Sequence, residues 1–558
     1  MVQRSQGIMA ETLRLLRPFT ALGLFGACTG VVSGLATAWL LAVINDELHR
    51  PAGFGWQSAF GFAALCAISV GGTAIAGSIN SIVGQKLIAS LRKDISARIL
   101  QAPIATLEAS RPARLMAVLT ADVDTVSVFT FNMSGYAIAL AITIGGFAYL
   151  WILSAVVFVL AVGALLLGVV INIVAKRGWI RDYENVRNAQ DELHKQYRAI
   201  TDGAKELKIS RPRRVRIYGV LLTGAADRIA TFKSRAMRLF WIADAAGSGI
   251  FFIIIGMLLA WKGLFAINGS AISGAVIVLL YLKGPVAQLA AALPAFDQAR
   301  ISFQRIAELS VNLAEHEPDL IIGAPALDQR PHNSIGSIEL RGVTYAFSAK
   351  GDIAPFVLGP IDFTIRAGEL LFIVGENGSG KTTLIKLLLG LYMPQQGLLL
   401  HDGMVVKPED RDRYRQLFST IFSDYYLFDD LVYGTLPEAA GPHLQRLGIA
   451  HKVKLDGDRF TTTDLSTGQR KRLALVQAWL EQRPVIVTDE WAADQDPDFR
   501  RVFYEELLPE LKAMGRTLIV ISHDDRYFHV ADRIVRMADG RIVEDHRVQQ
   551  PALIEGGA

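Results

Sequence analysis

The sequence predicts a multidomain protein: an all-α membrane domain of six spanning helices, followed by an α/β domain built on a phosphate-binding loop. Three observations predict it. Mean hydropathy is positive, at +0.32, and the apolar surplus sits in the first half of the chain. That half holds six apolar runs near the ~20-residue length a spanning helix needs. Beyond it, short β-rich runs alternate with helical ones, and one of them reads strand, glycine loop, helix. The expected division is 1–310 for the membrane domain, 311–336 for a Pro/Gly-bearing linker and 337–558 for the α/β domain.

The six expected spans are Phe19–Ile44, Phe60–Ile82, Phe131–Leu153, Ala155–Ala175, Phe240–Leu264 and Ile272–Leu293. The first is too long for a cleavable signal core, although Arg4, Arg14 and Arg17 precede it. The third and fourth spans nearly touch, so the turn at Leu153–Ser154 is expected to be tight. Lys176–Arg238 holds sixteen Lys and Arg and Lys86–Arg114 holds six, whereas the opposite loops hold essentially Arg50 and Lys262. The positive-inside rule therefore puts both basic segments and both termini in the cytoplasm. Each basic segment is helical in pattern and breaks once, at "APIATLEASRPARL" and at "ITDGAKELKISRPRR". Two breaks at equivalent places suggest short transverse helices, near Ile104–Ser110 and Asp202–Ser210.

In a chain of 558 residues a net charge of only +4 argues against a nucleic-acid binder that works by phosphate neutralisation. Cys28 and Cys66 lie in apolar runs and are expected to be small buried residues, not a disulfide or metal pair.

"LLFIVGENGSGKTTLIKLLLG" carries the phosphate loop. Gly375, Gly378 and Gly380 let the backbone wrap a phosphate, with Glu376, Asn377, Ser379 and Thr383 completing the loop. Lys381 reaches the outer phosphates and Thr382 offers a hydroxyl to Mg²⁺. In "VIVTDEWAADQD" an apolar strand ends at Asp489, placed to hold Mg²⁺ through water. Glu490 follows and can orient or deprotonate a water attacking the outer phosphate. "TLIVISHDD" is a further buried strand running to His523, which can contact a γ-phosphate from a neighbouring strand. A second polar turn, "DLSTGQRKRLALVQAWL", runs into a helix and is also shaped to hold an anion.

These motifs in this order resemble an ATP-binding-cassette (ABC) transporter of the exporter type, and the resemblance covers nearly the whole chain. Leu465, Ser466, Thr467, Gly468 and Gln469 match that family's signature turn, with Thr467 where most members have glycine. The resemblance implies two cassettes stacked head to tail, each signature turn touching ATP held by the partner's Gly375–Thr383. One cassette and six spans then make half a transporter, most simply a homodimer. It further implies that Phe347, in "VTYAF", stacks on adenine, although neighbouring Tyr345 can be confused with it. Asp496 matches the loop that crosses between cassettes. ATP and Mg²⁺ are the implied cofactors. ATP binding closes the cassettes, the transverse helices carry that closure to the spans, and hydrolysis resets it.

Two departures narrow the resemblance. Ser423 stands where most cassettes have a glutamine that links Mg²⁺ and the attacking water to the membrane domain. The interval from Ser423 to Leu465 is short, which suggests a trimmed helical subdomain. "FSDYYLFDD", "DLSTGQRKRLAL" and "DEWAADQDPDFR" together resemble the cyclic-peptide exporters, a subgroup that includes exporters of pyoverdine-type siderophore precursors, syringomycin-type lipopeptides and a lasso-peptide microcin. This implies a multi-pass protein of the bacterial inner membrane whose cargo is a cyclic or nonribosomal peptide. A lipid or hydrophobic-drug flippase, a siderophore importer on the same fold, and a nucleotide-gated channel are the rival expectations. Lys283, in "LLYLKGPVAQ", is the candidate cargo contact, with Gln288 one turn further on. A mid-span lysine costs about 2.5–3.5 kcal/mol on insertion scales and usually faces a polar cavity. Snorkelling to headgroups is the alternative.

Overall fold

The computed structural model describes residue 14 and residues 20–50, 55–110, 112–260, 269–323, 335–347, 356–431 and 437–548. The chain divides into two compact units. One contains residues 1–93 and 116–309, the other 94–115 and 310–558. The first transverse segment thus clusters with the C-terminal unit.

Six long helices of the described residues are apolar enough to cross a membrane, over Thr20–Leu48, Trp56–Gln101, Leu115–Leu153, Ala155–Ala175, Arg211–Ala260 and Ser270–Asn312. We label the continuous helices α1 (Thr20–Leu48), α2 (Trp56–Gln101), α3 (Ile104–Ala109), α4 (Val123–Leu153), α5 (Ala155–Asp202), α6 (Ala204–Ile209), α7 (Thr223–Ala260) and α8 (Gly269–Asn312). All six expected spans have a helix. Parts of the expectations fall outside the described residues: Phe19, Lys262, the end of the fifth span at Leu264, Arg111, and 324–334 of the linker.

Small residues set the packing of the membrane unit. A Cβ on Gly34 of α1 would lie 2.7 Å from both the Ala141 Cβ and the Ile138 carbonyl of α4, so the two backbones approach as they do in small-residue membrane interfaces. Leu41, Ile142, Leu150, Val157, Leu258, Leu279 and Leu282 form one buried cluster joining α1, α4, α5, α7 and α8. A single extended residue, Ser154, separates α4 from α5. Helix α8 runs on through Pro285 and Pro294. Each of the two sequence breaks holds a short helix, α3 and α6. The expectation of buried cysteines fails: Cys28 is exposed and Cys66 half-buried, because a spanning helix surrounded by lipid can leave apolar residues outside its packed seam.

The C-terminal unit has twelve strands among its described residues: β1 (Ser337–Ala346), β2 (Val357–Arg366), β3 (Leu370–Gly375), β4 (Gln396–His401), β5 (Met404–Val405), β6 (Phe418–Ile421), β7 (Leu455–Asp456), β8 (Arg459–Phe460), β9 (Val485–Asp489), β10 (Thr517–Ile521), β11 (Arg533–Ala538) and β12 (Arg541–Arg547). Its helices include α9 (Lys381–Leu388), α10 (Arg411–Arg415), α11 (Ala440–Arg446), α12 (Thr467–Leu480) and α13 (Pro497–Arg501). The main sheet has the order β12-β11-β3-β10-β9-β6, beside a sheet β2-β1-β4-β5 and a hairpin β7-β8. Strands β11, β3, β10, β9 and β6 run parallel to one another, and β12 is antiparallel to β11. Both β9 and β10 are buried along their whole length, which explains their continuous apolar runs. Parallel order brings the carboxyl ends of β3, β9 and β10 to one edge, where ligands bind in open α/β sheets. Between Ser423 and Leu465 the described residues contain a single α-helix, α11, packed on α12 through Leu444, Leu447, Leu473 and Val476. This agrees with a trimmed helical subdomain.

Glu317 fastens three segments of this unit. Its amide donates to the Gln101 carbonyl at the end of α2, at 2.8 Å. Its buried carboxylate pairs with Arg411 at 3.2 Å and Arg415 at 2.5 Å, both on α10. Glu317→Ala should leave buried Arg411 unpaired, a loss of about 3–5 kcal/mol by analogy with other broken buried pairs. A clearly lowered melting temperature of the cassette in detergent is expected. Wild-type melting would contradict this account.

Candidate functional site

The phosphate loop connects β3 to α9. Gly375 has φ +150° and Gly380 φ +100°. A Cβ on Gly375 would lie 2.3 Å from the Met537 carbonyl, and one on Gly380 2.9 Å from Leu358. Both positions therefore need glycine on two counts. Lys381 folds back over the loop and donates to the carbonyls of Gly375 at 2.8 Å and Glu376 at 2.9 Å. Burial holds its pKa below the usual lysine value, opposed by the carboxylates of Glu490 and Asp489.

Asp489 is almost fully buried at the end of β9, and Thr382 Oγ1 donates to its Oδ2 at 3.3 Å. Burial raises the Asp489 carboxyl above the usual range. Glu490 adds to this, Thr382 and Lys381 oppose it, and Asp424 adds a little. A hard divalent cation would hold this carboxylate ionised. No group of three or more His, Cys, Asp or Glu able to hold a metal occurs among the described residues. The donor set of one carboxylate and one hydroxyl fits Mg²⁺, which is typically bound by one or two carboxylates plus substrate phosphates and water. Ser423 is exposed, two residues past the end of β6, whose Ile421 pairs with Thr488 just before Asp489.

Glu490 takes the left-handed conformation, with φ +52°. Such backbone in a non-glycine residue is strained and clusters at functional sites. It turns the carboxylate toward His523, whose Nε2 lies 3.0 Å from Glu490 Oε1. The pair forms because β9 and β10 are adjacent and in register, with Asp489 opposite Ile521.

The signature turn is a built helix start. Ser466 caps α12 and forms a capping box with Gln469, satisfying two otherwise free backbone donors. A Cβ on Gly468 would come within 2.8 Å of the Asp494 carbonyl, and Gln495 Nε2 donates to the Gly468 carbonyl at 3.0 Å. Arg472 donates to Gln495 at 2.8 Å and to Asp496 at 2.6 Å, while its guanidinium lies 3.5 Å from the centre of the Phe499 ring. Asp496 in turn caps α13. Turn and loop are thus one interlocked piece. Among the described residues no hydrogen bond joins Leu465–Gln469 to the chain's own Gly375–Thr383.

Phe347 is 39% exposed, whereas Tyr345 is stacked on Tyr392 at 4.6 Å and packs on a buried cluster. Of the two, Phe347 is the aromatic free to take a base. The Phe356 ring, beside Phe347, also lies against Gly380, so Phe347 and the phosphate loop are neighbours.

Sequence reasoning missed Lys471. It is buried on α12 and donates to the Glu490 carbonyl at 2.7 Å, with Asp494 at 2.8 Å. Trp491 donates to the Lys471 carbonyl at 2.7 Å. The available signal was a lysine one turn before Leu475 on the apolar face of the helix, where a charge needs partners. In the membrane unit, Lys283 Nζ lies 5.9 Å from the centre of the Phe252 ring on α7. Gln288 instead lies against Gly135 of α4. Five residues of helix turn the two about 140° apart, so the structure does not bring them together on one face.

The family described as "ABC transporter" matches residues 358–493, and the "ABC transporter transmembrane region" matches 20–192. The ATP-binding protein SyrD of Pseudomonas syringae pv. syringae is 37% identical over 530 residues, covering 93% of this chain and 94% of that one. The mycobactin import ATP-binding/permease protein IrtB of Mycolicibacterium thermoresistibile is 30% identical over 60% of this chain and 57% of its own. An ATP-dependent lipid A-core flippase of Francisella tularensis subsp. tularensis is 26% identical over 96% of this chain and 90% of its own. Among solved structures, a bacterial Atm1-family ABC exporter with ATP bound matches with TM-score 0.69 and 19% identity, over 95% of both chains. The cassette implies ATP binding, normally with Mg²⁺, and half-transporters of this fold typically dimerise. With six spanning helices before a phosphate-loop sheet that gathers Lys381, Asp489, Glu490 and His523 at one edge, the chain belongs to the ABC transporter family, as an ATP-hydrolysing membrane transporter with the exporter fold.

Proposed function

We propose that the protein is a homodimeric exporter of a cyclic or nonribosomal peptide, a siderophore precursor or lipopeptide, in a bacterial inner membrane. Both termini and the basic segments face the cytoplasm. The observation that carries the cargo reading is the set of three segments, "FSDYYLFDD", "DLSTGQRKRLAL" and "DEWAADQDPDFR", resembling the cyclic-peptide exporters together. The 37% identity to a relative matched over nearly its whole length supports it against the 26% shared with a lipid A-core flippase.

In this reading Glu490 positions and deprotonates the attacking water, and His523 contacts the γ-phosphate. Asp489 and Thr382 hold Mg²⁺, with Ser423 as a shorter substitute for the usual glutamine. Phe347 stacks on adenine, and Gly375–Thr383 wrap the phosphates. Leu465–Gln469 serve the partner's ATP, and Asp496 lies in the loop that crosses between cassettes. ATP drives the cycle by binding the closed state more tightly than the open one.

Lys283 is the proposed cargo contact, a cation that attracts acidic or carbonyl-rich peptide. Purified protein in liposomes tests both the cargo and the contact. Acidic cyclic peptides should stimulate ATP hydrolysis, and lipid A should not. Lys283→Met should lower that stimulation more than basal turnover, and transport of acidic peptides more than neutral ones. Stimulation by lipid A alone would favour the flippase reading. Uniform loss across peptides would remove Lys283 from the cargo site.

A further inference from the structure

We infer that Glu108, on the transverse helix α3, positions the adenine platform through the hydroxyl of Tyr392, so that base binding and the placement of α3 are coupled. The inference rests on the proposed reading of Phe347 as that platform.

Three contacts make the connection. Tyr392 is 3% exposed, and its hydroxyl donates to Glu108 Oε2. The ring of Tyr392 stacks on Tyr345 at 4.6 Å with 12° between the planes. Phe347 stands edge-on to both tyrosines, with centroids 5.3 Å from Tyr345 and 6.0 Å from Tyr392. The face Phe347 presents to a base is therefore braced by a two-tyrosine stack, and the only polar handle of the buried tyrosine is held by a residue of α3. A buried tyrosine hydroxyl needs a partner, and a bond to a carboxylate is among the stronger kinds.

Glu108 has a second hold on the cassette. Lys386, on the helix that leaves the phosphate loop, pairs with Glu108 Oε1 at 2.7 Å, and its ammonium also lies 5.3 Å from the centre of the Tyr392 ring. The same carboxylate thus has a route to the phosphate side of the nucleotide through Lys386 and a route to the base side through Tyr392. The inference is that the base-side route sets nucleotide affinity. Linkage makes the coupling reciprocal. A base stacked on Phe347 favours the position of α3 in which the Tyr392 contact is made, and a displacement of α3 that breaks the contact loosens the base.

The test uses the full-length dimer in detergent and two probes, ADP and inorganic tripolyphosphate, which carries phosphates and no base. Binding is measured by titration calorimetry. Tyr392→Phe keeps the ring stack and removes only the hydroxyl. It should weaken ADP about five- to tenfold and leave tripolyphosphate affinity unchanged. Glu108→Ala should weaken ADP at least as much, and the double variant no more than Glu108→Ala alone, since both remove one interaction. The KM for ATP should rise in parallel with little change in kcat. Equal weakening of ADP and tripolyphosphate in Tyr392→Phe would overturn the inference, because the effect would then run through the phosphate loop. Phe347→Ala separates this inference from the reading beneath it. If that variant weakens ADP and Tyr392→Phe does not, the Glu108 connection alone is wrong. If Phe347→Ala leaves ADP binding unchanged, the platform reading falls, and the inference with it.

Discussion

Glu490→Gln is expected to bind ATP with near wild-type affinity, to lose about 10²–10⁴-fold in hydrolysis, and to accumulate as an ATP-bound dimer. The substitution isolates one property. Glutamine has the size and shape of glutamate, and the residue just past β9 sits in a left-handed conformation that neither side chain favours over the other. Lys471 holds the Glu490 carbonyl, not its side chain, so the backbone is fixed independently of the change. The amide oxygen can still accept a hydrogen bond from His523, which lies 3.0 Å away. What disappears is the capacity to take a proton from water. The loss should therefore fall on kcat and spare nucleotide binding. Vanadate-independent retention of labelled ATP, together with dimer mass in detergent, checks the second half. Turnover within a few-fold of wild type would mean that another group takes the proton, and would return Glu490 to a purely structural place beside His523.

Most of what can be read in the sequence is local. The phosphate loop, the six spans and the β9 and β10 ends are written in runs of adjacent residues. Glycine at 375 and 380 reports a backbone shape, and an apolar strand ending in Asp489 reports a sheet edge. The helical pattern of the basic segments also shows helices that outrun the apolar spans. Helix α2 continues to Gln101 and α5 to Asp202, because the polar residues beyond each apolar run are good helix formers. The contacts that tie the site together were not legible. Glu108 meets Tyr392 across 284 positions of sequence, and Arg98 reaches the Ser310 carbonyl across 212. No periodicity within a segment encodes such a pairing. Lys471 lies between these cases: its burial is implied by its place on the apolar face of α12, but its acceptor on Glu490 is fixed only by the fold. Spacing along α8 likewise does not show that Gln288 lies against Gly135 of α4, about 140° around the helix from Lys283.

A mixture of two dead chains should hydrolyse ATP. Ser466→Arg and Lys381→Ala are each expected to be inactive as homodimers, the first through the signature turn and the second through the phosphate loop. If the turn serves the partner's nucleotide, a mixed dimer has one composite site with both lesions and one with neither. Random pairing makes roughly half of the dimers mixed, each with one intact site of two, so about a quarter of the wild-type sites are restored. Loss of fold is a poor rival explanation for the Ser466 variant. Removing the cap of α12 costs about 0.5–2 kcal/mol, and the helix remains anchored by buried Leu473, Val476 and Trp491 in the same cluster. The geometry can be checked without turnover. Cys28 and Cys66, both in membrane helices, are replaced by serine, and Ser466→Cys is combined with Gly378→Cys, at a loop position where a side chain meets no neighbour within 4 Å but where a φ of +84° strains any residue other than glycine, so ATP binding by the Gly378→Cys chain is measured first. With ATP present, oxidation should link two chains into a covalent dimer on a denaturing gel. A link confined within single chains would place the turn over its own phosphate loop, and the partner arrangement would be wrong. Ser466, Gly468 and Gln469 are committed to capping α12 and to Gln495 and Asp494, with no hydrogen bond to 375–383 of the same chain among the described residues. A covalent dimer would mean that the amides at the start of α12 serve an anion held by the partner's phosphate loop, and the rescue of hydrolysis in the mixture and the link on the gel would then report one geometry.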